Sequence, residues 1–251
     1  MSDTAPGLTR RQALGITAGL TAGALLVPVA GTAAAAPAEG VWRGTTTQNG
    51  WPVIDRAVTH RVEGTGVDVP LAQGDVATVL LHVARRYAYE IDMLRPRDIQ
   101  GHTVDRHIGA PFESNHLSGT AIAVRPLFYP LDADASTGMT DQERTIVRDI
   151  LADCEGVVVW GGELEPVKES HFHIAVAPGD SRLTRLAQRI RGWDAAPGQG
   201  AGSIDAFAPA RIRRAEKAAA YGGAGPIAYD GRRTRHHRGF LRHRVDAPAA
   251  A

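Results

Sequence analysis

A single cysteine, Cys154, stands among 251 residues, so an intramolecular disulfide is excluded and no disulfide partner is expected. It closes Leu151-Ala152-Asp153-Cys154 at the end of an expected helix, a setting for a small buried side chain rather than a nucleophile. Aromatic residues are scarce, at 6% of the chain, and Trp51 and Trp160 are expected in a core or a cleft wall. There is no internal repeat and no glycine-rich phosphate loop, which sets aside repeat architectures and nucleotide-binding folds.

The one long, weakly hydrophobic run lies at the start. Thr9-Arg10-Arg11 precedes an apolar stretch from Ala13 to Ala30, and small residues around Ala36-Pro37-Ala38 suit signal peptidase. Residues 1–38 are expected to be a twin-arginine export signal. An uncleaved anchor is the alternative, since the run is just long enough to span a bilayer. Export by that route, which carries folded proteins, predicts an extracellular or wall-associated destination and no nucleic-acid partner.

At the other end, residues 203–251 hold ten Lys and Arg against four Asp and Glu, whereas the whole chain is only +1. Arg232-Arg233-Thr234-Arg235-His236-His237-Arg238 and Leu241-Arg242-His243-Arg244 sit among Gly, Ala and Pro. Residues 193–251 are therefore expected to form a basic, disordered tail. Such a tail can hold anionic wall polymers or lipid head groups by charge, and a solvated segment with no partner is the alternative.

Between the ends, residues 40–192 leave room for one domain of about 150 residues, a common size. Asp75 precedes Val76, Val79, Leu80, Val83, Ala84 and Tyr87, whose spacing predicts a helix with one buried stripe. Thr140 and Glu143 form a capping box before Ile146, Val147, Ile150 and Leu151, and Gly156 can end that helix. Val157 to Trp160 and Phe172 to Val176 read as strands. Asp180 can cap a last helix through Leu183, Leu186, Ala187 and Ile190, stopped by Gly192. Helices mixed with strands on hairpin-like turns give an α+β class, a small antiparallel sheet with flanking helices.

Three histidines carry the chemistry. His116 lies in a Gly- and Ala-rich stretch, and His171 and His173 lie in an apolar strand whose period of two puts them on one face. Imidazole is a favoured zinc ligand, and catalytic zinc takes three protein ligands plus an open position for water. Hydrogen-bonded histidines in a half-buried sheet are the alternative.

Ser114-x-His116-x-x-Gly119-x-Ala121 is similar to the signature Ser-x-His-x-x-Gly-x-Ala-x-Asp of the M15 zinc peptidases, which include D-Ala-D-Ala carboxypeptidases and L-Ala-D-Glu endopeptidases. Trp160-Gly161-Gly162 and His171-Phe172-x-Ile174 resemble that family's closing strand. Gln48-Asn49-Gly50-Trp51-Pro52, Leu94-Arg95-Pro96 and Arg106-His107-Ile108 resemble its secreted bacterial branch. The resemblance covers about residues 45 to 178. It implies a Hedgehog/DD-peptidase-like zinc peptidase fold and peptidoglycan stem peptides as substrate. It further implies His116 and His171 as zinc ligands, Arg106 as a clamp on the peptide carbonyl or oxyanion, and Ser114 and Trp160 in the substrate cleft.

Two positions depart from the pattern. The ligating aspartate is replaced by Ala123, and the carboxylate base, three residues before the second histidine, is replaced by Lys168. A methyl group cannot coordinate and a protonated amine cannot accept a proton. The main expectation is a relative with impaired catalysis that acts on or binds wall peptides. An alternative is an active peptidase with zinc on His116, His171 and His173 and with Glu169 or a water as base; Glu113, Asp105 and His102 are weaker substitutes. A wall-associated structural protein held by its basic tail is the third.

Overall fold

The computed structural model describes residues 40–133 and 135–219. The expected signal at 1–38 and the basic runs beyond 219 lie outside the described residues. The architecture is α+β. In chain order the elements are β1 (Gly40–Val41), β2 (Val58–Arg61), β3 (Asp68–Leu71), α1 (Asp75–Glu90), β4 (Ile99–Gln100), β5 (His107–Ile108) and a 3₁₀ helix (Pro111–Ser118). There follow β6 (Ala121–Val124), α2 (Asp141–Cys154), β7 (Val158–Trp160), β8 (His171–Ile174), α3 (Ser181–Ala195) and α4 (Pro209–Ala219). Among the described residues no helix is long and apolar enough to cross a membrane.

The principal sheet is antiparallel in the order β4-β6-β8-β7, and its register decides what each face carries. Ala121 pairs with His173, Ile122 with Phe172 and Ala123 with His171. Because side chains alternate along a strand, Ile122, Val124, Phe172 and Ile174 share one face with Val158 and Trp160. All six join the hydrophobic core with Val76, Val79, Leu80, Val83 and Tyr87 of α1. The opposite face presents Ala121, Ala123, His171 and His173. Two alanines opposite two imidazoles leave space there, and the 3₁₀ helix lies in it, with Phe112 4.8 Å and His116 5.2 Å from the His171 ring, centroid to centroid.

The segment Gln48 to Trp51 staples that helix to the sheet. Gln48 N donates to Ser114 Oγ at 2.9 Å and Asn49 N to Asn115 Oδ1 at 3.1 Å. Asn49 Nδ2 donates to Thr120 Oγ1 and to Ile174 O, both at 2.8 Å, and Trp51 Nε1 donates to Val176 O at 2.8 Å. Gly119 ends the 3₁₀ helix at φ 67°, with a Cβ there 2.7 Å from Ala72 N, so only glycine fits.

The domain boundary expected at residue 192 moves. Gly192 does not stop α3, which runs on to Ala195, with Trp193 packed against His82. Residues 209–219, placed in the tail by composition, form α4 and dock on α2, because Arg211 and Arg214 pair with the buried Asp149 and Asp153. Basic composition misleads here, since these arginines meet carboxylates that the sequence places far away.

Candidate functional site: a closed histidine cluster

The fold brings His116, His171 and His173 together. His171 Nε2 lies 3.1 Å from His173 Nδ1, within hydrogen-bond distance when one of the two nitrogens carries a proton, and the ring centroids are 5.1 Å apart. His116 Nδ1 is 2.8 Å from the carbonyl of Gly101. A carbonyl only accepts, so that nitrogen carries the proton and Nε2 keeps its lone pair. His171 Nδ1 is buried without a hydrogen-bond partner.

The cluster is closed and neutral. His171 is 0% exposed, His173 2% and His116 8%. Burial, and then the Lys168 cation, pushes His116 down to about 4. Burial, and then His116, takes His173 to about 3. His171 is held well below the ordinary imidazole value by burial, by His173 and His116, and by Lys168.

Lys168 closes the cluster on one side. Its Nζ sits 2.5 Å from Glu113 Oε1, and Glu113 Oε2 accepts from Gly109 N at 2.6 Å and Ala110 N at 3.2 Å. Burial raises the Glu113 carboxyl, but the hydrogen bond and charge of Lys168, with the two backbone N–H groups, outweigh it and hold the group below the usual range. The sequence singles out Glu113 only as a substitute ligand. Its real partner is 55 residues away, and no local pattern could join the two.

The other expected site residues lie elsewhere. Glu169 does not face the histidines: Oε1 accepts from Arg144 Nε at 2.8 Å and Oε2 from Met139 N at 2.6 Å. Residue 169 lies in the turn before β8, which begins at His171, so strand alternation does not extend to it and its side chain is free to turn toward Met139 and Arg144. Trp160 is 1% exposed, stacks on Phe172 and donates from Nε1 to Glu169 O at 2.6 Å, so it offers no surface to a substrate. Ser114 is 0% exposed, and its hydroxyl donates to Pro111 O at 2.6 Å while accepting from Gln48 N. Arg106 Nη1 holds Trp42 O at 3.2 Å and Gly44 O at 3.1 Å, tying the start of the domain to β5. Gly161, in the Trp-Gly-Gly element, is where β7 passes the approach to β8: a Cβ there would lie 2.2 Å from Lys168 O and 3.0 Å from His171 Cβ.

The resemblance implies a zinc ion, and the donor set does not fit a catalytic one. Two nitrogens 3.1 Å apart match the ligand separation on tetrahedral zinc, about 3.3 Å for bonds of about 2.0–2.1 Å. Among the described residues, however, no three His, Cys, Asp or Glu groups converge as ligands. Ala123 supplies no donor opposite His171, and the Lys168 cation acts on both His116 and His171.

Compared with known proteins, the chain matches no family model, no curated protein and no solved structure.

Proposed function

We propose that this chain is an exported, non-hydrolytic relative of the M15 peptidases that binds peptidoglycan stem peptides on a scaffold whose catalytic centre has been closed. The observation that carries this reading is the Lys168–Glu113 ion pair at 2.5 Å, placed where the resembled family has its carboxylate base. An ammonium group there opposes a dication and accepts no proton. Ala123, opposite His171 in the β6–β8 register, removes a ligand at the same time, so two separate parts of one mechanism are missing together. The fold attributed to that family, the zinc it would hold and the wall-peptide substrate all belong to this proposal.

The test compares the natural chain with Ala123→Asp/Lys168→Asp. Zinc per chain is measured by elemental mass spectrometry, stem-peptide cleavage by mass spectrometry and stem-peptide binding by calorimetry. The natural chain is expected to bind peptide, hold zinc far below one per chain and cut nothing, while the double variant gains zinc-dependent cleavage. One zinc per chain that disappears in His173→Ala, together with cleavage, would overturn the reading in favour of a site rebuilt on His173. Absence of peptide binding would remove the binding role. Melting temperatures of each variant separate failed folding from failed chemistry, since residue 123 is only 1% exposed.

A further inference from the structure

Two irregular loops leave one end of the principal sheet side by side. Ile99 at the start of β4 pairs with Val124 at the end of β6, which brings the loop before β4 against the loop after β6. Arg125 joins them: its N–H donates to Asp98 O at 2.5 Å, and its guanidinium pairs with Asp92 and lies 3.8 Å from Asp98. Arg97 at φ 77° and Arg125 at φ 52° hold the two turns in the left-handed region, unusual for side chains of this size.

What these turns hold out is apolar. Leu127 is 87% exposed, Phe128 61% and Met93 53%, and the Arg125 guanidinium sits 5.1 Å from the Phe128 ring centre. Arg95 and Arg97 are exposed in the same loop as Met93, and among the described residues neither guanidinium has a carboxylate partner. Asp92 and Asp98, the acids of that loop, share the single cation Arg125, so with Arg95 and Arg97 these five side chains sum to +1, and the two without a carboxylate partner among the described residues are both cations.

We propose that this end of the sheet docks on an anionic lipid surface, with Leu127, Phe128 and Met93 entering the head-group region and Arg95 and Arg97 against the lipid phosphates. Apolar side chains ringed by cations are the pattern of an interfacial anchor, in which buried apolar area and attraction to anionic lipid add. A tip carried on two turns, with two exposed cations beside it that have no carboxylate partner among the described residues, fits a fluid and deformable negative surface better than a rigid protein face. The inference stands apart from the histidine cluster and from the basic residues beyond 219.

The lone Cys154 makes the test selective, because it is 0% exposed and burial pushes its thiol up to about 12. The full chain carrying Leu127→Cys is labelled with an environment-sensitive fluorophore and mixed with phosphatidylcholine vesicles, with and without phosphatidylglycerol. Val58→Cys, on a 42% exposed position of β2, serves as the reference. The label at 127 is expected to shift to the blue and be quenched by doxyl lipid only with phosphatidylglycerol, while the label at 58 stays in water. Arg95→Glu/Arg97→Glu should lower vesicle partition at least about tenfold, since each cation near an anionic surface is worth about fivefold. A chain that pellets with vesicles while the 127 label stays aqueous overturns the proposal and assigns binding to another segment. A blue shift that rises with protein concentration without vesicles overturns it too, in favour of a second copy of the chain.

Discussion

Two of the buried polar clusters among the described residues are built on opposite principles. Between α1, α2 and α4, three arginines meet three carboxylates. Arg86 is 0% exposed and bonds Glu90 twice at 2.6 Å, Asp149 at 2.6 Å and Asp153 at 2.5 Å. Arg211 adds bonds to both aspartates and Arg214 pairs with Asp153. Within this network Asp149 Oδ1 lacks a hydrogen bond, and Arg214 lies 3.8 Å from it. Against β6 and β8, by contrast, the three imidazoles are uncharged, one nitrogen has no partner, and the ion pair of Lys168 sits at the edge. A charged network with balanced signs joins the helices, whereas the imidazoles are held neutral by burial and bring no charge to pair.

The helical joint should be the costlier one to break. Arg86→Ala leaves two arginines against three buried carboxylates, and removing one partner of such a network costs about 3–5 kcal/mol. For a domain of this size that is a fall in Tm of about 10 °C, readable by calorimetry. A drop of only a degree or two would mean that water enters and screens the network, and the contrast between the clusters would fail.

Acid should act on the two in sequence. The histidines are depressed in the folded chain, His116 and His82 to about 4 and His173 to about 3, with burial the first cause in each. Above about pH 6.5 both states are neutral and nothing is lost. Below it the unfolded chain takes up protons that the folded chain refuses, so stability falls as pH drops from about 6.5 toward 4. Each tenfold loss of proton affinity on folding corresponds to ~1.4 kcal/mol, so the fall in stability is on the order of several kcal/mol. Asp153 acts in the same sense but at lower pH: burial raises it, but Arg86, Arg211 and Arg214 outweigh burial and lower it. Its contribution therefore persists until the pH falls below the ordinary carboxylate value. Melting temperatures should stay level from about pH 7.5 to about 6.5 and fall steadily from there to about 4.5, and a flat profile down to pH 5 would show that the imidazoles reach water.

How far the sequence reveals each cluster follows from the range of its contacts. The stripe of α1 is legible because it is local, and Val76, Val79, Leu80, Val83, Ala84 and Tyr87 are all buried. So is the capping box, where Thr140 Oγ1 accepts from Glu143 N at 3.2 Å and Glu143 Oε2 accepts from Thr140 N at 2.7 Å. Asp75 also marks the start of α1, but it does not cap. Gly74 takes the cap position, and the Asp75 carboxylate instead accepts from Thr184 Oγ1 at 2.7 Å and Arg191 at 2.8 Å on α3. The convergence of His171 and His173 follows from strand alternation alone. The arginine network does not, because it joins residues 58 to 67 positions apart, and so α4 is hidden inside a basic composition.

The smallest expected effect is also the sharpest probe of the histidine cluster. In Lys168→Met the Glu113 carboxylate loses its cation but keeps the N–H groups of Gly109 and Ala110, so the loss of stability should be about 1–2 kcal/mol, below that at Arg86. The charge effect on His116 has a fixed sign. Lys168 lowers its pKa and Glu113 raises it, so Lys168→Met should move His116 up from about 4, and Glu113→Gln should move it further down. Nuclear magnetic resonance titration of the His116 ring reads both. Opposite movements mean that the edge ion pair acts on the cluster through charge and that Lys168 works against any cation there. Movements of the same sign would mean that each substitution merely lets water in, and the electrostatic argument against a dication at this cluster would have to be given up.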